Sequence, residues 1–308
     1  MGVITLPPKL AHDNTQQFAE AARQWCQQLE AGNILLFPQT PVTLADEDLD
    51  FLLSLKQSNH SLHKNLAYKA AQDRIAGAHL QSPDPEAGER LRRILCSYSQ
   101  QVTEFLTEFL LPYETRWQVD YASFRPLEEQ RRALPLRKRN DRLHIDAFPT
   151  RPTHGARILR FFSNLHPTQP REWIVGEPFR ALLPQFSPVS LALPRAETAL
   201  LRLARKAGHR TGLGRVIPAL RRSPYDRFML RFHDFLKENA AYQAHGKREA
   251  LSFPPGSSWL VYTDTVPHAV LSGQFALEQT FLVAPQVMVS PEDAPLTVLE
   301  SLTGQQLV

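Results

Sequence analysis

One histidine and one aspartate separated by a single residue, His144-Ile145-Asp146, lie inside an apolar, strand-like run, and a second such run far downstream carries His268. In a strand, alternate side chains share a face, so His144 and Asp146 can both point inward while Ile145 packs on the other side. A third ligand must then come from a different strand. His268 meets that need, because it follows the β-like run Ser258-Trp259-Leu260-Val261-Tyr262 and the turn-forming Thr263-Asp264-Thr265-Val266-Pro267. Two imidazoles and one carboxylate on one face of an octahedral Fe(II) leave the opposite face open for a co-substrate and O2, so the pattern points to oxygenase chemistry. The pair alone has a plain alternative, since a chain with 11 His and 31 acidic residues yields one His-x-Asp by chance.

The stretch after Asp146 begins with turn chemistry, Ala147 to Gly155. It continues as a run of β-branched, aromatic and long apolar residues that Pro167 stops. On that strand Arg160, Phe162 and Asn164 share a face. A buried arginine beside an aromatic and an amide is costly unless it meets an anion, and its planar fork suits a carboxylate such as the distal one of 2-oxoglutarate. The alternation puts Arg160 ahead of Arg157 for this role. Surface ion pairs are the bland reading of both.

The segments RLHIDAFPTRPTHGARILRFFSNLHP (142–167), REWIVGEPF (171–179), TDTVPHAVLSGQFALEQTFLV (263–283) and HKNLAYK (63–69) together resemble the Kdo 3-hydroxylases of Gram-negative bacteria. The resemblance runs from about Asn33 to about Pro285. It implies an α+β chain with a mainly β core, a double-stranded β-helix or jelly roll flanked by helices. It also implies an Fe(II)/2-oxoglutarate-dependent dioxygenase using O2, with His144, Asp146 and His268 as metal ligands and Arg160, Asn164 and Arg157 as candidates for the co-substrate. The implied substrate is Kdo-lipid A of the lipopolysaccharide inner core, hydroxylated at C3. The resemblance raises Lys64, Asn65 and Tyr68, with Arg142 and Trp173, to candidate substrate contacts, although composition alone makes 63–69 a solvent-exposed polar loop. One departure stands out: many 2-oxoglutarate oxygenases place an Arg or Lys about ten residues after the distal His, but Ala269 to Val283 has neither.

At 308 residues, 43% hydrophobic and 21% charged, the chain reads as one globular domain. Residues 1–125 read as a mostly helical frame around a few strands, and 140–285 as the β core with a helical insert at 178–245. In the frame, Phe18, Ala21, Ala22, Trp25 and Leu29 recur at helical spacing, and Asn33 to Phe37 reads as a strand. Thr43-x-x-Asp46 resembles a capping box opening a helix from Leu44 to about Lys56. A longer helix runs from Pro85 to about Tyr113, with an apolar stripe from Leu91 to Phe109 that covers a sheet. No signal-peptide pattern or bilayer-length apolar stretch is present, so the expected location is cytoplasmic. Cys26 and Cys96 are the only cysteines, which gives neither a disulfide framework nor a thiolate metal site.

The net charge of +4 conceals a concentration. From Arg195 to Arg222 there are seven Arg and one Lys against Glu197 alone. That segment suits an anionic membrane surface or a phosphorylated substrate, with a solvated helical face as the alternative. A second basic run, Arg131 to Arg142, precedes the metal motif and could steer a polyanion toward it. Nucleic acid is not the expected partner, because no stacking aromatics interleave these runs and no DNA-binding signature occurs. Two rivals to the Kdo reading remain open: a 2-oxoglutarate oxygenase acting on another anionic or lipid-linked substrate, and a non-enzymatic basic protein that binds membranes or nucleic acid.

Overall fold

A computed structural model of the chain describes residues 2–7, 15–55, 66–76, 85–128, 135–211 and 221–308. Eight strands form the larger sheet: β1 (Val3–Thr5), β2 (Ile34–Phe37), β3 (Leu66–Lys69), β4 (Arg74–Ala76), β5 (Trp117–Arg125), β6 (Arg157–Asn164), β9 (Ser258–Tyr262) and β11 (Ala276–Val283), in the order β1-β2-β9-β6-β11-β5-β3-β4. The smaller sheet has the order β10-β7-β8, from β7 (Arg171–Gly176), β8 (Arg248–Phe253) and β10 (His268–Ser272). Around this jelly roll lie α1 (Thr15–Glu30), α2 (Asp46–Ser54), α3 (Pro85–Phe109) and α8 (Pro295–Thr303). Between β7 and β8 the chain inserts α4 (Phe179–Leu182), α5 (Ala199–Thr211), α6 (Pro224–Glu238) and α7 (Ala240–His245).

Strand alternation divides the large sheet into two surfaces. Leu159 and Phe161 of β6, Leu260 and Tyr262 of β9, and Leu277 and Phe281 of β11 pack against the apolar stripe of α3 and against α1. Phe162, Trp259 and Val261 point the other way, into a second core closed by Trp173, Val175, Leu251, Phe253 and Val270 of the small sheet. Phe253 and Trp259 stack there with centroids 3.9 Å apart and planes 9° apart. A third core joins Leu143 and Ile145 to Phe179, Phe228, Phe232 and Leu299 of the helices.

Two features differ from the sequence-based expectation. Five strands from the first 125 residues join the large sheet, more than a helical frame around a few strands implies. The capping box at Thr43 does not form: the Gln101 amide of α3 takes both the N–H and the carbonyl of Thr43, and α2 starts at Asp46 after Ala45 with no side-chain cap. Lys64, Asn65, Arg131 and Arg132 lie outside the described residues.

A capping box does form on α6. Ser223 accepts from the Asp226 N–H, and Asp226 accepts from the Ser223 N–H, its hydroxyl, and the N–H groups of Thr153 and His154. One carboxylate therefore caps a helix and pins the far end of the loop that follows Asp146. Burial works against its charge, but His154, the Ser223 hydroxyl and the main-chain donors outweigh it and hold the Asp226 carboxyl below its ordinary value. Asp226→Ala strands four donors and is expected to cost about 2–3 kcal/mol in urea unfolding at neutral pH. Because the folded value is depressed, the contribution is present above the unfolded value of about 3.9 and is lost as pH falls below it. The gap between wild type and Asp226→Ala should accordingly narrow at acid pH, and a gap that widens there would contradict the assignment.

Candidate active site

His144 and His268 are paired by a single antiparallel bridge, with His144 N–H to His268 carbonyl at 3.1 Å and the reverse at 2.9 Å. Residues directly opposite in such a pair project to the same side, so both imidazoles face one point. The run expected to be a strand at His144 is thus one bridge long, after which the Asp146 N–H crosses to the Thr263 carbonyl at 2.7 Å. Ligand atoms of His144, Asp146 and His268 all lie within 4.8 Å of one another, and the three side chains are buried.

The ring orientations are set by main-chain acceptors. His144 Nδ1 is 2.7 Å from the Arg142 carbonyl and His268 Nδ1 is 3.0 Å from the Val266 carbonyl. A carbonyl only accepts, so each Nδ1 carries the proton and each Nε2 keeps its lone pair for a metal. The two Nε2 atoms stand 3.9 and 4.0 Å from the Asp146 oxygens. Burial drives both imidazoles toward the neutral, ligating form. For Asp146, burial opposes ionisation, but the Arg160 guanidinium and the two imidazoles hold the carboxyl far below the carboxylate range. Asp146 Oδ2 is buried and receives no hydrogen bond from the described residues. These donors fit a divalent metal.

A small pocket opens on the triad, lined also by Arg125, Asn140, Arg160, Phe162, Arg171, Trp173 and Val270. Arg160 Nη1 lies 3.2 Å from Asp146 Oδ2 and 3.5 Å from Glu278 Oε2. Arg125 binds the same Glu278 oxygen through Nε at 2.9 Å and Nη2 at 2.6 Å. Arg171, on the opposite wall, donates to the Gly273 carbonyl at 3.0 Å. Gly273 has φ +121°, and a Cβ there would come within 2.8 Å of the Arg171 stem, so the approach needs glycine. Trp173 stacks on His268 at 5.3 Å and 21°, and its Nε1 is buried without a hydrogen-bond partner among the described residues.

The other expected residues are placed elsewhere. Arg157 lies across the sheet from the metal cluster, bound to Asp264 at 2.9 Å and Thr265 at 2.5 Å. Asn164 spends its amide on the carbonyls of Gln169 and Phe253 and on the His166 N–H. Tyr68 packs in the core under α3, with its hydroxyl on Asp73 at 2.9 Å. Arg142 donates to the Lys237 carbonyl at 2.5 Å.

Sequence reasoning missed Arg125, Arg171, Glu278, His233 and Gln243. A charged residue inside an otherwise apolar strand was the available signal for the first three. The two on helices had none. His233 of α6 sits edge-on to His144 at 5.0 Å, with Nδ1 2.6 Å from the Ile145 carbonyl. Gln243 of α7 accepts from the Leu143 N–H at 3.1 Å and donates to the Leu143 carbonyl at 2.9 Å, the pattern a neighbouring strand would provide.

A jelly roll whose two sheets meet at a two-histidine, one-carboxylate cluster defines the class of this protein. A model of the 3-deoxy-D-manno-oct-2-ulosonic acid (Kdo) hydroxylase family matches residues 12–306, and the chain belongs to that family. Among solved structures, the apo form of the Kdo hydroxylase KdoO, a non-heme Fe(II) alphaketoglutarate-dependent dioxygenase, is 34% identical. It matches with a TM-score of 0.80, covering 100% of this chain and 98% of that one. The KdoO complex with alphaketoglutarate and Fe(III) is 33% identical with a TM-score of 0.79, over 100% and 98% of the two chains. A cobalt(II) complex matches at 34% identity and a TM-score of 0.79, over 99% and 97%. No curated protein matches the chain.

Gln243 supplies a testable consequence. Gln243→Leu leaves the Leu143 N–H and carbonyl without these partners and loosens the strand that carries His144. Cobalt(II) affinity, followed by visible absorption, is expected to fall about tenfold, the lower end of what outer-layer substitutions cost. Gln243→Glu, which keeps the acceptor, should fall between. Unchanged affinity in Gln243→Leu would show that the strand is held without it.

Proposed function

We propose that the chain is an Fe(II)/2-oxoglutarate-dependent dioxygenase that hydroxylates C3 of Kdo in Kdo-lipid A. His144, Asp146 and His268 would hold the iron through Nε2, Oδ2 and Nε2. With 2-oxoglutarate and O2, bound iron supplies the oxidising chemistry for C–H hydroxylation, and succinate and CO2 are the by-products. The observation that carries the reading is the charge of the pocket beside the triad. The guanidiniums of Arg125, Arg160 and Arg171 line the pocket beside the triad, and a bound divalent metal would add to their positive charge. Burying positive charge of this kind is costly when dry, and a dicarboxylate lowers that cost.

Arg160 has two tasks here. Its Nη1 orients Asp146, while its Nε, buried and without a hydrogen-bond partner among the described residues, remains for the co-substrate. Arg171 and the Trp173 indole N–H form the facing wall and are the natural second contact. The absence of an Arg or Lys after His268 is thereby made good by β6 and β7.

The deciding experiment incubates the protein with Fe(II), 2-oxoglutarate and Kdo-lipid A and follows succinate and a mass gain of one oxygen on Kdo. Product with the oxygen at C3 is expected, and His144→Ala, Asp146→Ala or His268→Ala should abolish it. In the same assay Arg160→Lys and Arg171→Lys should each raise the KM for 2-oxoglutarate about tenfold, because the ammonium loses the bidentate fork. Succinate release with another lipid-linked substrate and none with Kdo-lipid A would move the assignment to a different acceptor.

A lipid-linked substrate requires access to a membrane surface, and no helix among the described residues is long and apolar enough to cross one. We place the enzyme at the cytoplasmic face of the inner membrane, held peripherally by α5. Leu200 and Leu203 of that helix are 79% and 67% exposed, next to Arg202. Arg205 does not share this role, because it is buried against Glu197 at 3.1 Å. Apolar side chains flanked by arginine suit an anionic lipid interface, where each cation contributes about 1 kcal/mol or less and is screened by salt. Replacing Leu200 and Leu203 by Ser and Arg202 by Gln should weaken sedimentation with phosphatidylglycerol vesicles severalfold. Retained binding at moderate salt would return α5 to a solvated face.

A further inference from the structure

The surface of the large sheet that carries Arg160 continues away from the triad as a polar row. In register, Arg160 of β6 lies opposite Thr280 of β11, the bulge of β5 beyond it presents Tyr121, and Tyr121 lies opposite Lys69 of β3. Three strand spacings separate Arg160 from Lys69, about 14 Å. Thr280 is buried, whereas Tyr121 and Lys69 are half-buried, so the row opens toward solvent with distance from the triad.

The outer end of the row is built from cations and rings. Lys69 Nζ lies 5.2 Å from the centre of the Tyr121 ring, and Arg151 lies 3.8 Å from the same ring. Arg151 is also 4.2 Å from the ring of Phe148, two residues after Asp146, and Arg160 is 5.7 Å from that ring. Arg151 is committed to Asp120 by an ion pair. Lys69 is not committed: among the described residues no carboxylate pairs with it, and the ring is its one close partner. A half-buried ammonium with part of its hydration replaced by a ring face has a strong reason to accept an anion.

We propose that Lys69, over the Tyr121 ring, forms the subsite that receives an anionic group of the sugar substrate and so sets its position relative to the metal cluster. The inference rests on the Kdo reading above and goes beyond it by assigning the contact. It also moves the expected contact by one residue, because alternation turns Tyr68 to the helical side and Lys69 to the triad side. The shared ligand chemistry is an oxyanion, either the carboxylate of the sugar acid or a phosphate of the lipid.

The test compares wild type, Lys69→Met and Lys69→Arg on two substrates, Kdo-lipid A and a Kdo glycoside that has the carboxylate but no phosphate. Thermal unfolding serves as the check on folding. Lys69→Met is expected to raise the substrate KM about tenfold, an effect that shrinks at high salt, with the loss falling on KM rather than kcat. Lys69→Arg should recover most of it. A KM penalty on both substrates identifies the carboxylate as the anion, and a penalty confined to Kdo-lipid A identifies a phosphate. If wild type turns over either substrate and Lys69→Met matches its KM on both, the subsite is overturned while the Kdo reading stands. If wild type turns over neither, the Kdo reading falls and the subsite with it.

Discussion

The site depends on one pair of hydrogen bonds. The reciprocal main-chain bonds between His144 and His268 are the whole of the strand pairing at this point, yet they decide that two imidazoles 124 positions apart in sequence project to one side. A ladder of that length cannot hold register by itself, so the flanking residues are held from outside. Gln243 takes the main chain at Leu143, His233 takes the Ile145 carbonyl, and the Thr263 carbonyl takes the Asp146 N–H. The triad is small, and these polar contacts around it keep a short strand extended.

Charge imposes the second constraint. Asp146, Arg160, Glu278 and Arg125 form a buried chain of alternating sign, in which each group lowers the desolvation cost of its neighbours. Glu278 is held below its ordinary value by Arg125 and Arg160 despite burial. Three arginines on the pocket wall favour an anionic ligand there.

Much of this was legible in the amino-acid order, and the limits are instructive. His-x-Asp spacing works as a signal because strand alternation is rigid, and the same rule separated Arg160 from Arg157 onto opposite faces of β6. The α3 stripe was readable because a long amphipathic helix repeats its pattern from Leu91 to Phe109, over about five turns. Asn164 shows where parity stops: it shares a face with Arg160, but at the end of the strand its amide closes the turn to His166 and Gln169 instead. Thr43 shows how a long-range contact overrides a local motif, since Gln101 satisfies the main chain that the cap would have used. Gln243 and His233 were invisible because their roles arise only when α6 and α7 fold back on residues about 90 to 100 positions earlier.

The helical insert thereby acquires two separate physical relations to the chemistry. One of its helices, α5, is turned outward, with Leu200 and Leu203 in solvent and Arg205 folded back on Glu197. Its later helices are turned inward. Ser223 and Asp226 hold the loop after the His144–Asp146 pair at Thr153 and His154, while His233 and Gln243 hold the strand at the pair itself. Helices placed between two strands of a jelly roll are free to vary in their outer face only as long as the inner face keeps those contacts. In this chain the outward face of α5 and the contacts that hold the strand at His144 are therefore carried by one segment but rest on different residues.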